Sequence, residues 1–147
     1  MSTVIYIADV NEVIRIHEKN IAISGGGING IINIGYLEAA LEHIQNDDYY
    51  PTFIEKVTHL FFEANKSHCF QDGNKRIAIS LGSIFLLKNG YIEAAQRFLY
   101  KMEIISYHLA ANRIDKQFLK VIIESIIYEE TYSEEVQLKL LNLISEN

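Results

Sequence analysis

The placement of the helix breakers constrains this chain more than any other feature. Its 147 residues hold one proline, Pro51, and eight glycines, five of them between Gly25 and Gly35. Proline lacks a backbone donor and glycine raises the entropic cost of a helix. Their confinement therefore leaves long uninterrupted stretches for helices and one glycine-rich loop. Hydrophobic residues make up 49% of the chain, enough for a substantial core in one domain.

Periodicity places the helices. Asp9-Val-Asn-Glu12 has the form of a capping box, and Val10, Ile14, His17 and Ile21 recur at helical spacing, predicting a first helix over 10–20. The segment 24–35 is too rich in glycine for a helix and too apolar for a plain linker, and its Asn29-Gly30 pair between Ile28 and Ile31-Ile32 suits a short β-hairpin. A short helix over 36–45 carries Leu37, Ala40, Leu41 and Ile44 on one face, and another follows over 52–65. Residues 77–90 are apolar nearly all round, including Leu86-Leu87, which predicts a central buried helix stopped by Asn89-Gly90. Further helices are expected over 93–111, over 115–129 with Asp115 as cap, and over 133–145 with Val136, Leu140 and Leu143 inward. The expectation is an all-α bundle of about six to seven helices with a glycine-rich flap. It forms a single domain over 1–147, with 131–147 as an accessory helix.

The chemistry concentrates in His68-Cys-Phe-Gln-Asp-Gly-Asn-Lys-Arg76. A histidine can take a proton from a hydroxyl near neutral pH. Asp72 is a hard oxygen ligand suited to a magnesium ion that keeps most of its waters. Gly73 permits close backbone approach, and Asn74, Lys75 and Arg76 open the next helix, where free N–H groups and the positive dipole end favour an anion. Two cations there are electrostatically awkward without phosphate nearby. Base, metal ligand and phosphate cradle together indicate group transfer from a nucleoside triphosphate.

This run resembles the signature of the Fic/Doc (Fido) family, His-x-Phe-x-Asp/Glu-Gly/Ala-Asn-Gly/Lys-Arg, at His68, Phe70, Asp72, Gly73, Asn74, Lys75 and Arg76. With the loop at 24–35, the resemblance covers roughly residues 5–128. It implies a Fic/Doc helical fold in which His68 deprotonates a Ser, Thr or Tyr hydroxyl on a target protein, and Phe70 anchors the loop. Asp72 and Arg76 would complete the catalytic set, with Asp72 holding Mg²⁺ and Gly73, Asn74, Lys75 and Arg76 holding the phosphates of ATP. The flap, through Gly27, Ile28, Ile31 and Ile32, would pair with an extended target segment.

Two departures bear on the branch. AMP-transferring Fic proteins mostly carry glycine where this chain has Lys75, and a second arginine where it has Ile79. Both match the Doc toxin branch, which implies transfer of the γ-phosphoryl group. Gly73 points mildly the other way, since Doc has alanine there. The resemblance thus implies a Doc-like toxin kinase acting on a translation elongation factor and restrained by a small antitoxin. AMP transfer is the alternative on the same site. A non-catalytic interaction module is a third, although it would be expected to lose His68, Asp72 or Asn74, and all three are present.

Remaining features narrow the class. A formal charge of −6 argues against a dedicated nucleic-acid surface, and no apolar run or signal peptide points to a membrane. A single cysteine, Cys69, fits a reducing cytoplasm and is not expected to act as nucleophile. His17, His43, His59 and His108 lack metal-ligand spacing and are read as structural. Residues 142–147 resemble the inhibitory helix of some Fic proteins only in Glu146 and Asn147, and with Ile79 in place of the arginine they read as packing.

Overall fold

The computed structural model describes residues 3–24, 27 and 30–145. Among them lie seven helices: α1 (Val10–Ser24), α2 (Gly35–His43), α3 (Phe53–Lys66), α4 (Asn74–Lys88), α5 (Ile92–Ala110), α6 (Lys116–Tyr128) and α7 (Glu134–Ser145). The described residues contain no strand, only an isolated antiparallel bridge between Ile31 and Phe70. The all-helical expectation holds. The hairpin reading rested on Ile28 and Asn29, which lie outside the described residues, as do Glu146 and Asn147.

Local chemistry sets several boundaries. Asp9 Oδ1 accepts from the N–H groups of Asn11 and Glu12, while Glu12 Oε2 reaches back to the N–H of Ala8 at 3.2 Å. Thr52 Oγ1 accepts from Glu55 N–H, and Asp115 Oδ1 from Phe118 N–H at 2.7 Å. Each cap satisfies a donor that the first helical turn leaves unpaired. Gly90 stops α4 with φ +85°. Helix α1 corrects the expected end at residue 20. It runs to Ser24, because Ile21 and Ala22 continue the helical pattern and the glycine run begins only at 25.

Helices α3 and α4 form the centre, with Val57, Leu60, Phe61 and Ala64 facing Ile77, Leu81, Phe85 and Leu86 in one continuous core. Helix α5 runs antiparallel beside α4 at very close range. A Cβ on Gly82 would lie 2.4 Å from Phe98 Cε1, so the Phe98 ring rests on the α4 backbone and meets Phe61 edge-on. The expected central helix is buried among its neighbours through Ile77, Leu81, Phe85 and Leu86, but not on every side: Leu87 is 54% exposed, and Ile79 and Ser80 are partly open where they border a cleft.

Two polar devices tie down the periphery. Lys56 is 2% exposed, and its Nζ donates to Ile44 O and Asp47 Oδ1, both at 2.6 Å, closing the turn between α2 and α3. Asn89 donates to Ile5 O and accepts from Ile5 N–H, both at 2.8 Å, fastening the N-terminal segment to the end of α4. Helix α7 turns Val136 and Leu140 inward, with Leu143 partly buried, and lays Lys139 over the Phe118 ring of α6.

Candidate active site

Residues 67–73 connect α3 to α4 and are held by neighbours both near and distant in sequence. Ser67 caps α3 by donating its hydroxyl to Glu63 O. His68 then adopts a left-handed conformation, φ +51°, and its side chain is exposed. Cys69 and Phe70 turn into the core and are fully buried. The Phe70 ring stacks on the imidazole of His17 from α1, with centroids 3.8 Å apart and planes 10° from parallel. His17 Nε2 donates to Asp72 O at 2.7 Å, since a carbonyl can only accept. Gly73, at φ +83°, precedes α4, and its carbonyl accepts from Ile77 N–H at 2.8 Å.

The first turn of α4 is braced from three sides. Asn74 donates to Phe70 O at 2.8 Å and accepts from Phe70 N–H at 3.2 Å, so its side chain holds the loop, and its main chain belongs to the open helix end. Lys75 O accepts from Ser106 Oγ on α5, which itself accepts from Asn65 Nδ2 on α3 at 2.7 Å. Arg76 donates to Asn20 O on α1, and Asn20 donates in turn to Ser80 Oγ.

Asp72, Gly73, Asn74, Lys75 and Arg76 line one cleft of about 800 Å³, together with Gly27 and Ile79. Its opposite wall is α5, through Leu99, Glu103 and Tyr107. The volume is within the range of small-ligand sites. Neither Lys75 nor Arg76 forms an ion pair among the described residues. Both stand where helical N–H groups and the dipole already favour negative charge.

The flap divides in two. Gly27 sits against Asp72, where a Cβ would lie 3.4 Å from Asp72 Cβ, and it belongs to the cleft. Ile31 and Ile32 are 51% and 62% exposed beside the motif loop rather than in the cleft lining. Ile32 and Asn33 N–H both donate to Cys69 O, and Gln71 N–H donates to Gly30 O at 3.0 Å. The segment 30–33 is thereby fastened to the residues flanking Phe70, one position beyond His68. Ile28 lies outside the described residues.

The other histidines are occupied elsewhere. His59 is buried against Tyr50, its Nδ1 accepts from Lys116 Nζ at 2.8 Å, and burial followed by the Lys116 charge pushes its pKa down to about 4. His108 Nδ1 lies 3.3 Å from Arg113. Among the described residues no cluster of three or more His, Cys, Asp or Glu could hold a metal. Sequence reasoning did not connect His17 with the motif, 55 residues away, nor place Glu103 in the cleft. For His17 the available signal was an imidazole on the apolar face of the first helix.

The Fic/DOC family model matches residues 7–86, more than half of the chain. The chain belongs to the Fic/DOC family. Fic/DOC proteins generally modify other proteins, and the enzymes among them generally use ATP with a metal. No curated protein gave a significant match. The residues of this Fic/DOC protein fit such a ligand. An open helix start with Lys75 and Arg76 suits phosphates, and Asp72 beside it suits Mg²⁺, which binds through one or two carboxylates plus phosphate oxygens rather than an all-protein cage. Among the described residues no helix is long and apolar enough to cross a membrane.

Proposed function

We propose that this Fic/DOC protein is a Doc-like protein kinase that transfers the γ-phosphoryl group of ATP to a Ser or Thr hydroxyl of a target protein. One observation carries the reading. The cleft gathers Lys75 and Arg76 on the first turn of α4 and continues with apolar Ile79 rather than a second arginine. The α4 N–H groups, Lys75 and Arg76 would bind and orient the phosphates, and Asp72 would hold Mg²⁺. Bound Mg²⁺ would neutralise phosphate charge during transfer. His68 would accept the target hydroxyl proton as its oxygen bonds to the γ-phosphorus. The bond from that phosphorus to the β,γ-bridging oxygen breaks, and ADP leaves. An elongation factor as target and a small antitoxin as restraint belong to this reading by resemblance.

AMP transfer on the same site is the second reading, favoured by the glycine at Gly73. Here, however, a Cβ at position 73 would face His17 Nε2 at 3.3 Å and Ile21 Cδ1 at 3.5 Å, so packing against α1 accounts for that glycine. The test is incubation with cell lysate, Mg²⁺ and ATP labelled at the α or the γ phosphate, with His68→Ala as control. His68-dependent label from the γ position alone supports the kinase. Label from the α position replaces it with AMP transfer, and no label from either removes both.

A further inference from the structure

We infer that His17 is a positioning residue for the motif loop. Through the Asp72 carbonyl it fixes the peptide from which the Asp72 side chain enters the cleft. This deepens the proposed transfer activity and rests on that reading only where Mg²⁺ and ATP enter the test.

The imidazole makes a separate contact with each of three motif residues. Its face covers the Phe70 ring at 3.8 Å, and its Nε2 donates to Asp72 O at 2.7 Å. Its edge occupies the space beneath Gly73, where a Cβ would meet Nε2 at 3.3 Å and Cδ2 at 3.5 Å. Neighbours one turn on extend the same face, because Asn20 O accepts from Arg76 and Ile21 Cδ1 lies under both Gly27 and Gly73.

Ordinary packing does not account for this choice of residue. His17 is 0% exposed, and its Nδ1 has no hydrogen-bond partner among the described residues. An imidazole buried with one nitrogen unpaired is costly, whereas leucine or phenylalanine would fill an apolar site without that penalty. What the histidine adds over those is the one bond to Asp72. Loss of that bond removes the α1 anchor from the Asp72 carbonyl and loosens the hold of α1 on the turn into α4.

The test uses the whole chain with His17→Phe, which keeps an aromatic ring on Phe70 but removes the donor, and His17→Gln, which restores an N–H at similar reach. The first readout is amide hydrogen exchange without ligand. His17→Phe should exchange about tenfold faster at the bonded amides within residues 70–77, those of Phe70, Gln71 and Ile77, the equivalent of ~1.4 kcal/mol for one lost bond, with α3, α5 and α6 unchanged. His17→Gln should recover part of that protection. The second readout is calorimetric ATP affinity with and without Mg²⁺, whose Mg²⁺-dependent part should weaken about tenfold in His17→Phe. Wild-type exchange in His17→Phe, or exchange raised uniformly in all helices, overturns the inference. If His17→Phe yields no folded protein, His17→Gln decides alone: near-wild-type protection over 70–77 upholds the donated bond, and uniform loss overturns it. Absence of Mg²⁺-dependent ATP binding in the wild type would count against the transfer reading, while the exchange result still decides His17.

Discussion

Replacing His68 by glycine should leave a more stable fold than replacing it by alanine, while both replacements abolish the proposed transfer. His68 occupies the first position beyond the α3 cap at φ +51°, the place where helices commonly end on glycine in the left-handed region. That conformation costs an L-residue about 1–2 kcal/mol, less for histidine than for β-branched residues. Glycine removes the strain but loses roughly 0.5–1 kcal/mol to the greater freedom of the unfolded chain. The His68 side chain is exposed, so little buried area is forfeited. Alanine keeps the strain and removes the imidazole, which makes His68→Ala the proper reference. Glycine should exceed alanine by about 1 kcal/mol, and for a domain of this size that is a Tm difference of about 2–4 °C. Thermal unfolding followed by the helical circular dichroism signal measures it, and both variants should lack γ-label transfer. A His68→Gly protein that melts below His68→Ala would refute the reasoning, because the left-handed turn would then not be a strain relieved by glycine.

Three further outcomes are expected. Gly82→Ala gains about 1 kcal/mol of helix propensity but drives a methyl into Phe98, and overpacking at about 1–3 kcal/mol should win. Its Tm should fall by a few degrees, and adding Phe98→Leu should return part of the loss, a coupling that a double-mutant cycle detects. Asn74→Ala removes both bonds to the Phe70 backbone and should lower stability by about 1–3 kcal/mol in urea unfolding, with transfer reduced further. His59 has its pKa lowered from 6.5 to about 4, so the unfolded chain takes up a proton first on acidification. The stability it contributes is complete above pH 6.5 and lost as pH falls towards 4. His59→Asn should flatten the Tm profile in that window, and an unchanged slope would assign the pH dependence to other groups.

The motif was legible because its chemistry is local. His68 to Arg76 are consecutive, and the caps at Asp9, Thr52 and Asp115 act within three residues of themselves. Glycine at 90 stops α4 for a reason confined to its own backbone. What escaped sequence reasoning depends on distant partners. Nothing near His17 announces Asp72, and nothing near Lys56 announces that a lysine will be buried on the carbonyl of Ile44. Leu87 has the same apolar character as Leu86 and differs only in which way α4 presents it, a matter decided by α3 and α5. Periodicity identified which helices exist. It could not say that one of them, α1, would form the floor of the loop.

The isolated bridge between Ile31 and Phe70 limits what the flap can offer another chain. Gly30 O and Ile32 N–H are both turned towards the motif loop, so in this pairing the N–H and C=O of Ile31 point to the opposite side. Among the described residues, an extended segment laid along that outer edge would meet the one donor and one acceptor of Ile31. Two hydrogen bonds fix a register but supply little affinity. A shift of one residue would carry the neighbouring hydroxyl about 3.4 Å and turn it to the other face. In the proposed transfer, the spacing between docked and modified residue would rest on the two main-chain groups of Ile31, and discrimination among target sequences would fall to side chains and more distant contacts.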